Sequence, residues 1–135
     1  MKRPLFLPAL ILAWLCLAAP CLAAKAVDIV EPAVTSLSAY GNPSADQVRD
    51  AIVRAGSGIG WQMTVEAPDM VIGDLQTRGH SVTVEIPYSA NGYVIKYRTS
   101  VNMNEKNGKI HPNYNRWVDR LFRHIAGELP RIQKN

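Results

Sequence analysis

Apolar and polar residues alternate along four stretches in the middle of the chain, and each stretch predicts a β-strand. The predicted strands cover residues 61–66, 70–77, 80–88 and 93–103. A period of two places apolar side chains on one face of a strand and polar side chains on the other. Short turns such as Arg78-Gly79 separate the strands. The pattern therefore predicts a four-stranded antiparallel meander with one apolar face.

The register of this meander can also be predicted, because apolar residues should lie opposite one another. The expected pairs are Val65 with Val71, Trp61 with Leu75, Thr77 with His80, Leu75 with Val82, Gly73 with Val84, Val84 with Tyr97, Ile86 with Ile95, and Tyr88 with Tyr93. On the polar face this register places Glu85 opposite Lys96. In the last strand the alternation assigns Tyr97, Thr99 and Val101 to the apolar face.

Apolar residues at helical spacing flank the strands on both sides. Ser44 and Gln47 have the spacing of a capping box and predict a first helix over about 45–55, which we expect Gly56 to end. A second helix is predicted over about 113–128. Its apolar stripe consists of Tyr114, Trp117, Val118, Leu121, Phe122, Ile125 and Leu129.

These elements predict an α+β fold: a two-layer sandwich in which the N- and C-terminal helices pack on one face of the meander. The single α+β domain covers 44–130, after an extended lead-in over 25–43 with a short edge strand and before a basic tail at 131–135. The residues expected to be buried together are Trp61, Val82, Val84, Ile95, Tyr97, Trp117, Leu121 and Ile125.

Residues 1–24 have the pattern of a secretory signal peptide. A basic start, an apolar run and small residues ending in Ala23 and Ala24 follow one another. The apolar run is shorter than the roughly 20 residues that cross a bilayer. Cleavage would remove Cys16 and Cys21, leaving no disulfide and no thiol chemistry. The alternative is a lipoprotein anchored through Cys21, although Pro20 occupies the position that prefers a small residue.

Removal of this segment takes away Lys2 and Arg3, which lowers the formal net charge from +4 to about +2. A weakly cationic exported protein is a poor match for nucleic-acid binding, so we expect no nucleic-acid partner. We also expect no transmembrane span in the mature chain.

Several stretches resemble a group of small, exported, uncharacterised proteobacterial periplasmic proteins and candidate lipoproteins. The similarity covers roughly residues 46–126 and includes G-W-x-M-x-V-E-x-P-D and R-G-H-S-V-T-V-E-I-P-Y. Its most specific part is I-H-x-N-Y-N-x-W-V, here Ile110 to Val118. The resemblance implies a Gram-negative envelope location, with the periplasm as the expected compartment. It implies no particular activity.

Common catalytic and metal-binding patterns do not occur in the sequence. His80, His111 and His124 are scattered without ligand spacing, so no metal or cofactor is expected. No G-x-S-x-G motif is present. The glycine-rich stretch 56–60 follows a helix and precedes a strand, the reverse of a phosphate-binding loop. The chain is therefore predicted to be non-enzymatic, although an enzyme remains an open alternative.

The strongest candidate site is the start of the last helix, at His111, Tyr114, Asn115 and Arg116. Polar and aromatic groups are dense there, and a helix N-terminus offers free backbone N–H groups. The alternative is structural, with Asn113 as a cap and the aromatic side chains as anchors. The same helix carries the basic stripe Arg116, Arg120 and Arg123. That stripe could meet lipid headgroups or an acidic partner, or form ion pairs with Asp119.

The sequence thus predicts an exported envelope protein that acts as a binding or interaction module. Its expected partner is an envelope protein or a cell-wall component. Two alternatives stay open: a hydrolase acting on an envelope polymer, which would need two carboxylates at a cleft, and a structural subunit of an envelope complex.

Overall fold

The computed structural model describes residues 23–134. The predicted signal peptide, with Cys16 and Cys21, lies outside these residues except for its last two positions. The described part contains helices α1 (Ala45–Gly58) and α2 (Asn113–Glu128), and short 3-10 helices at Ser38–Tyr40 and Leu129–Lys134. Its strands are β1 (Val27–Asp28), β2 (Ala33–Val34), β3 (Gln62–Ala67), β4 (Met70–Thr77), β5 (His80–Pro87), β6 (Tyr93–Val94), β7 (Lys96–Val101) and β8 (Lys109–Ile110). The fold is a mixture of α-helix and antiparallel sheet.

The main sheet is a four-stranded antiparallel meander in the order β3-β4-β5-β7, which confirms the prediction. Most of the predicted register is also confirmed. The pairs found as predicted are Val65 with Val71, Gly73 with Val84, Leu75 with Val82, Thr77 with His80, Val84 with Tyr97, Glu85 with Lys96, and Tyr88 with Tyr93. Turn chemistry and apolar pairing together were sufficient to set these contacts.

The predicted alternation in the last strand is wrong beyond Tyr97, because β7 contains a β-bulge. The pairs on either side of the bulge are Val84 with Tyr97 and Thr83 with Thr99. Arg98 is therefore an extra residue, and every later side chain changes face. Val101 lies opposite Ser81 on the polar face, where 58% of its surface is exposed.

The lead-in forms two short antiparallel ladders, β1 with β8 and β2 with β6. Between them the carbonyl of Pro32 accepts a hydrogen bond from the Ile95 backbone N–H at 3.0 Å. Ile95 lies between β6 and β7, so the predicted strand 93–103 is interrupted there. The pairs on either side, Glu85 with Lys96 and Tyr88 with Tyr93, keep the predicted register. The lead-in is thus hydrogen-bonded to residues far later in the chain.

Helix α1 begins as predicted, with both hydrogen bonds of the capping box between Ser44 and Gln47. The prediction that Gly56 ends it is wrong, because the helix continues to Gly58. Gly56 is buried, and a Cβ atom there would lie 2.3 Å from the Met63 sulfur. This glycine therefore allows β3 to approach the helix closely.

One hydrophobic cluster contains residues of α1, α2, β4 and β5. From the helices it takes Val48, Ala51, Ile52, Ala55, Tyr114, Val118, Leu121 and Ile125, and from the two strands Val71, Val82, Val84 and Ile86. Of the predicted core, Tyr97 and Trp117 are only partly buried, and the rest is buried as expected. Ile132, within the segment predicted as a basic tail, also joins the cluster.

Candidate functional site

The turn between β4 and β5 holds Arg78 in an unusual backbone conformation. Arg78 has φ 48° and Gly79 has φ 79°, so both central residues of this two-residue turn are left-handed. Such turns prefer Asn-Gly, because a side chain on a left-handed residue costs roughly 1–2 kcal/mol. The protein nevertheless places a long cationic side chain at this position.

Asn102 fixes the tip of this hairpin through two hydrogen bonds. Its side-chain Nδ2 donates to the carbonyl of Gly79 at 2.7 Å. Its own carbonyl lies 2.7 Å from His80 Nδ1, which must donate because a carbonyl oxygen only accepts. The orientation of Arg78 and His80 therefore depends on the segment that follows β7.

His111 caps the start of α2. Its Nδ1 accepts from the Asn113 backbone N–H at 3.2 Å, and its carbonyl accepts from the Tyr114 N–H at 3.0 Å. Two backbone donors that a helix N-terminus leaves free are satisfied in this way. The His111 ring also lies beside that of His80, with 6.4 Å between the ring centroids. His111 thus joins the helix start to the hairpin.

A groove of about 600 Å³ runs between the hairpin tip and the first turns of α2. We call it the arginine groove; its lining residues are Thr77, Arg78, His80, Asn113, Arg116, Trp117 and Arg120. A second hollow of about 270 Å³, the Trp61 pocket, shares Thr77, Trp117 and Arg120 with it and extends to Trp61. The two hollows adjoin at the partly buried indole of Trp117.

The charges in the arginine groove are not compensated by the described residues. Eight arginines lie within residues 23–134, and five of them form ion pairs with carboxylates at 2.7–3.3 Å. The other three are Arg78, Arg116 and Arg120, and all three line this groove. Asp119, which could have paired with Arg116, binds Arg123 at 2.7 Å instead. The groove is therefore the place where cationic side chains accumulate without acidic partners.

The four residues predicted as a site do not share one surface. Tyr114 is fully buried, with its ring edge-on to Tyr97 at 5.5 Å between centroids, and burial raises the pKa of its hydroxyl above the ordinary value. Asn115 binds the lead-in backbone, donating to the Asp28 carbonyl at 2.8 Å and accepting from the Val30 N–H at 3.2 Å. His111 caps the helix. Only Arg116 lines the arginine groove, where its guanidinium donates to the side chain of Asn113.

The sequence pattern places neither Arg78 nor His80 in a site, and it shows Arg120 only as part of a helix stripe. One signal could have identified Arg78: an arginine stands at a turn position that normally takes Asn or Gly. A non-glycine residue held in a left-handed conformation often marks a functional position.

Within residues 23–134 no group of three or more His, Cys, Asp or Glu side chains is placed to hold a metal ion. In the same part of the chain, no helix is both long and apolar enough to span a bilayer. Comparison with protein-family models, with curated proteins and with solved structures gave no match.

Proposed function

We propose that this protein is an exported protein of the Gram-negative cell envelope, located in the periplasm, and that it is a non-enzymatic binding module. In this proposal the arginine groove holds an anionic ligand. The basic start, apolar run and small-residue end of residues 1–24 support export. The resemblance around Ile110 to Val118 supports the envelope location.

The accumulation of unpaired arginines is the observation that carries the binding proposal. Three guanidinium groups line one groove without a carboxylate partner among the described residues, and an oxyanion bound there would be attracted by all three positive charges. Guanidinium is also the side chain whose planar donors match a carboxylate or phosphate. An anionic group of an envelope component is thus the ligand chemistry that this groove favours.

We propose in addition that the domain is a two-layer sandwich, with both helices on the apolar face of the meander. Residues of α1, α2, β4 and β5 belong to one hydrophobic cluster, and this shared core supports the arrangement. The two layers would keep the start of α2 beside the β4–β5 turn. The arginine groove would then have a rigid wall on each side, as a preformed binding site needs.

Co-sedimentation with isolated Gram-negative cell envelopes tests the binding proposal. The mature protein is compared with the triple variant Arg78→Gln, Arg116→Gln, Arg120→Gln. The control triple variant Arg49→Gln, Arg123→Gln, Arg131→Gln removes the same charge from arginines that are paired with carboxylates. We expect the amount of groove variant that co-sediments to be at least tenfold lower than that of the wild type. The amount of the control variant should stay within twofold of the wild type. Equal loss in both variants would show that binding depends on net charge and not on the groove.

Mass spectrometry of the N-terminus of the secreted protein tests export. A start after Ala23 or Ala24 is expected. An acylated N-terminal Cys21 would make the protein a lipid-anchored periplasmic protein instead, and an intact Met1 in the cytoplasmic fraction would contradict export.

A further inference from the structure

The arginine groove and the Trp61 pocket together indicate the class of ligand. We propose that the ligand is an acidic saccharide chain, an inference that rests on the proposed function. The oxyanion substituents of this chain contact Arg78, Arg116 and Arg120. One of its sugar rings lies against the indole of Trp117.

The size of the site exceeds what a simple inorganic ion needs. The two hollows measure about 600 Å³ and about 270 Å³, and they share Thr77, Trp117 and Arg120. Sites for whole small molecules usually measure about 300–1,000 Å³. An extended ligand with at least two separate groups therefore fits the combined hollow better than a single anion.

The lining of the site combines an aromatic surface with polar groups. Trp117 is only partly buried and contributes to both hollows. Around it stand the amides of Asn113 and Gln76 and the hydroxyl of Thr77. A sugar ring presents C–H groups on its faces and hydroxyl groups at its edge, so it can contact an indole and hydrogen-bond with amides at the same time.

The same lining disfavours other anionic ligands. An acyl chain needs an apolar cavity, but Gln76, Thr77 and Arg120 line the Trp61 pocket beside Trp61 and Leu75. A peptide that binds by strand addition needs a free strand edge. The arginine groove lies instead between a turn and a helix. The low net charge of the mature chain, about +2, does not suit a nucleic acid.

Arginine side chains bind carboxylates and phosphates alike, so the substituent on the saccharide is either of these oxyanions. Isothermal titration of the mature protein with four soluble probes separates the possibilities. The probes are tetragalacturonate, its neutral methyl ester, a phosphorylated mannose oligosaccharide and inorganic tripolyphosphate. We expect at least one acidic oligosaccharide to bind at least tenfold more tightly than the neutral ester. Tighter binding of tetragalacturonate would assign carboxylates, and tighter binding of the phosphorylated chain would assign phosphates.

Variants of Trp117 separate the saccharide inference from the proposed anion site. Trp117→Leu should weaken binding of the acidic oligosaccharide at least fivefold and leave tripolyphosphate binding within twofold. Trp117→Phe keeps an aromatic ring and should recover much of the loss, and circular dichroism checks that each variant is folded. Tripolyphosphate binding equal to oligosaccharide binding, with no effect of Trp117→Leu, would overturn the saccharide inference and leave the arginine groove as an anion site. Absence of binding to all three anionic probes would overturn both.

Discussion

Replacing Tyr114 by phenylalanine should make the protein more stable, although Tyr114 is among the largest fully buried side chains of the core. Its hydroxyl is buried and has no hydrogen-bond partner among the described residues. A buried polar group without a partner costs about 1–3 kcal/mol relative to water. Phenylalanine keeps the ring and its edge-on contact with Tyr97. We therefore expect Tyr114→Phe to raise the free energy of unfolding by about 1–2 kcal/mol, and Tm by about 4 °C for each kcal/mol.

The benefit should increase at alkaline pH. In the unfolded chain a tyrosine hydroxyl titrates near pH 10, whereas desolvation by burial raises the pKa of Tyr114 in the folded protein. Above about pH 10 the unfolded chain therefore releases a proton that the folded chain keeps. The free energy of unfolding then falls as pH rises. The phenylalanine variant lacks this titration, so its advantage over the wild type should be larger at pH 10.5 than at pH 7.

Urea unfolding followed by circular dichroism at both pH values measures these differences. Tyr88→Phe is the matched control. Tyr88 is also buried, but its hydroxyl donates a hydrogen bond to the Pro68 carbonyl at 2.5 Å. That variant should lose about 1 kcal/mol. If Tyr114→Phe were destabilised as much as the control, its hydroxyl would have a partner and the reasoning from an unsatisfied group would be refuted.

Three further substitutions, one of them with a matched control, test other parts of the structure. Arg78→Asn should stabilise the protein by up to about 1 kcal/mol, because asparagine tolerates the left-handed turn. The same variant should weaken envelope binding at least threefold, because it removes one charge from the arginine groove; a loss of stability, or unchanged binding, would contradict this reasoning. Asn115→Ala should cost about 1–2 kcal/mol and speed hydrogen exchange in β1, because both hydrogen bonds to the lead-in are lost; unchanged stability would show that these bonds contribute nothing. Gly92→Ala should lower the free energy of unfolding by about 1–3 kcal/mol, because the added Cβ would lie 1.9 Å from the Val34 carbonyl oxygen. Gly58→Ala is the control: a Cβ there has no neighbouring atom within 4 Å, so this variant should be as stable as the wild type or more stable in thermal melts.

Much of the sheet could be predicted from the sequence because local signals agreed with one another. The Arg78-Gly79 turn and the apolar pairs across it specified the same register, and the capping box specified the start of α1. The bulge at Arg98 left no such signal. Thr99 and Ser100 are small polar residues that suit either face, so regular alternation satisfied the sequence as well as the true register did. The pairing of Thr83 with Thr99 and the exposure of Val101 show that the bulged register is the one formed.

The candidate site was less predictable, because it combines residues that are distant in sequence. Helical spacing correctly placed Arg116, Arg120 and Arg123 along one stripe of α2. It could not decide which arginine binds Asp119, and that choice leaves Arg116 unpaired. Arg78 reaches the same groove from the hairpin tip, whose position depends on the bonds to Asn102. Asn115 looked like a ligand-binding residue because the sequence does not show that the lead-in returns to α2.

The attachment of the lead-in has a consequence for the order of folding. The strands of the meander are joined mostly by short turns, so their pairing closes small loops and can form early. The lead-in, by contrast, closes a loop of 87 residues between Asp28 and Asn115, and such closure is entropically unfavourable until both ends are in place. We expect a slow final phase in refolding, in which β1 and β2 dock onto β8 and β6 after the meander and α2 have formed. The lead-in, although it precedes the rest of the fold in the chain, is thus expected to be the last segment fixed in the native structure.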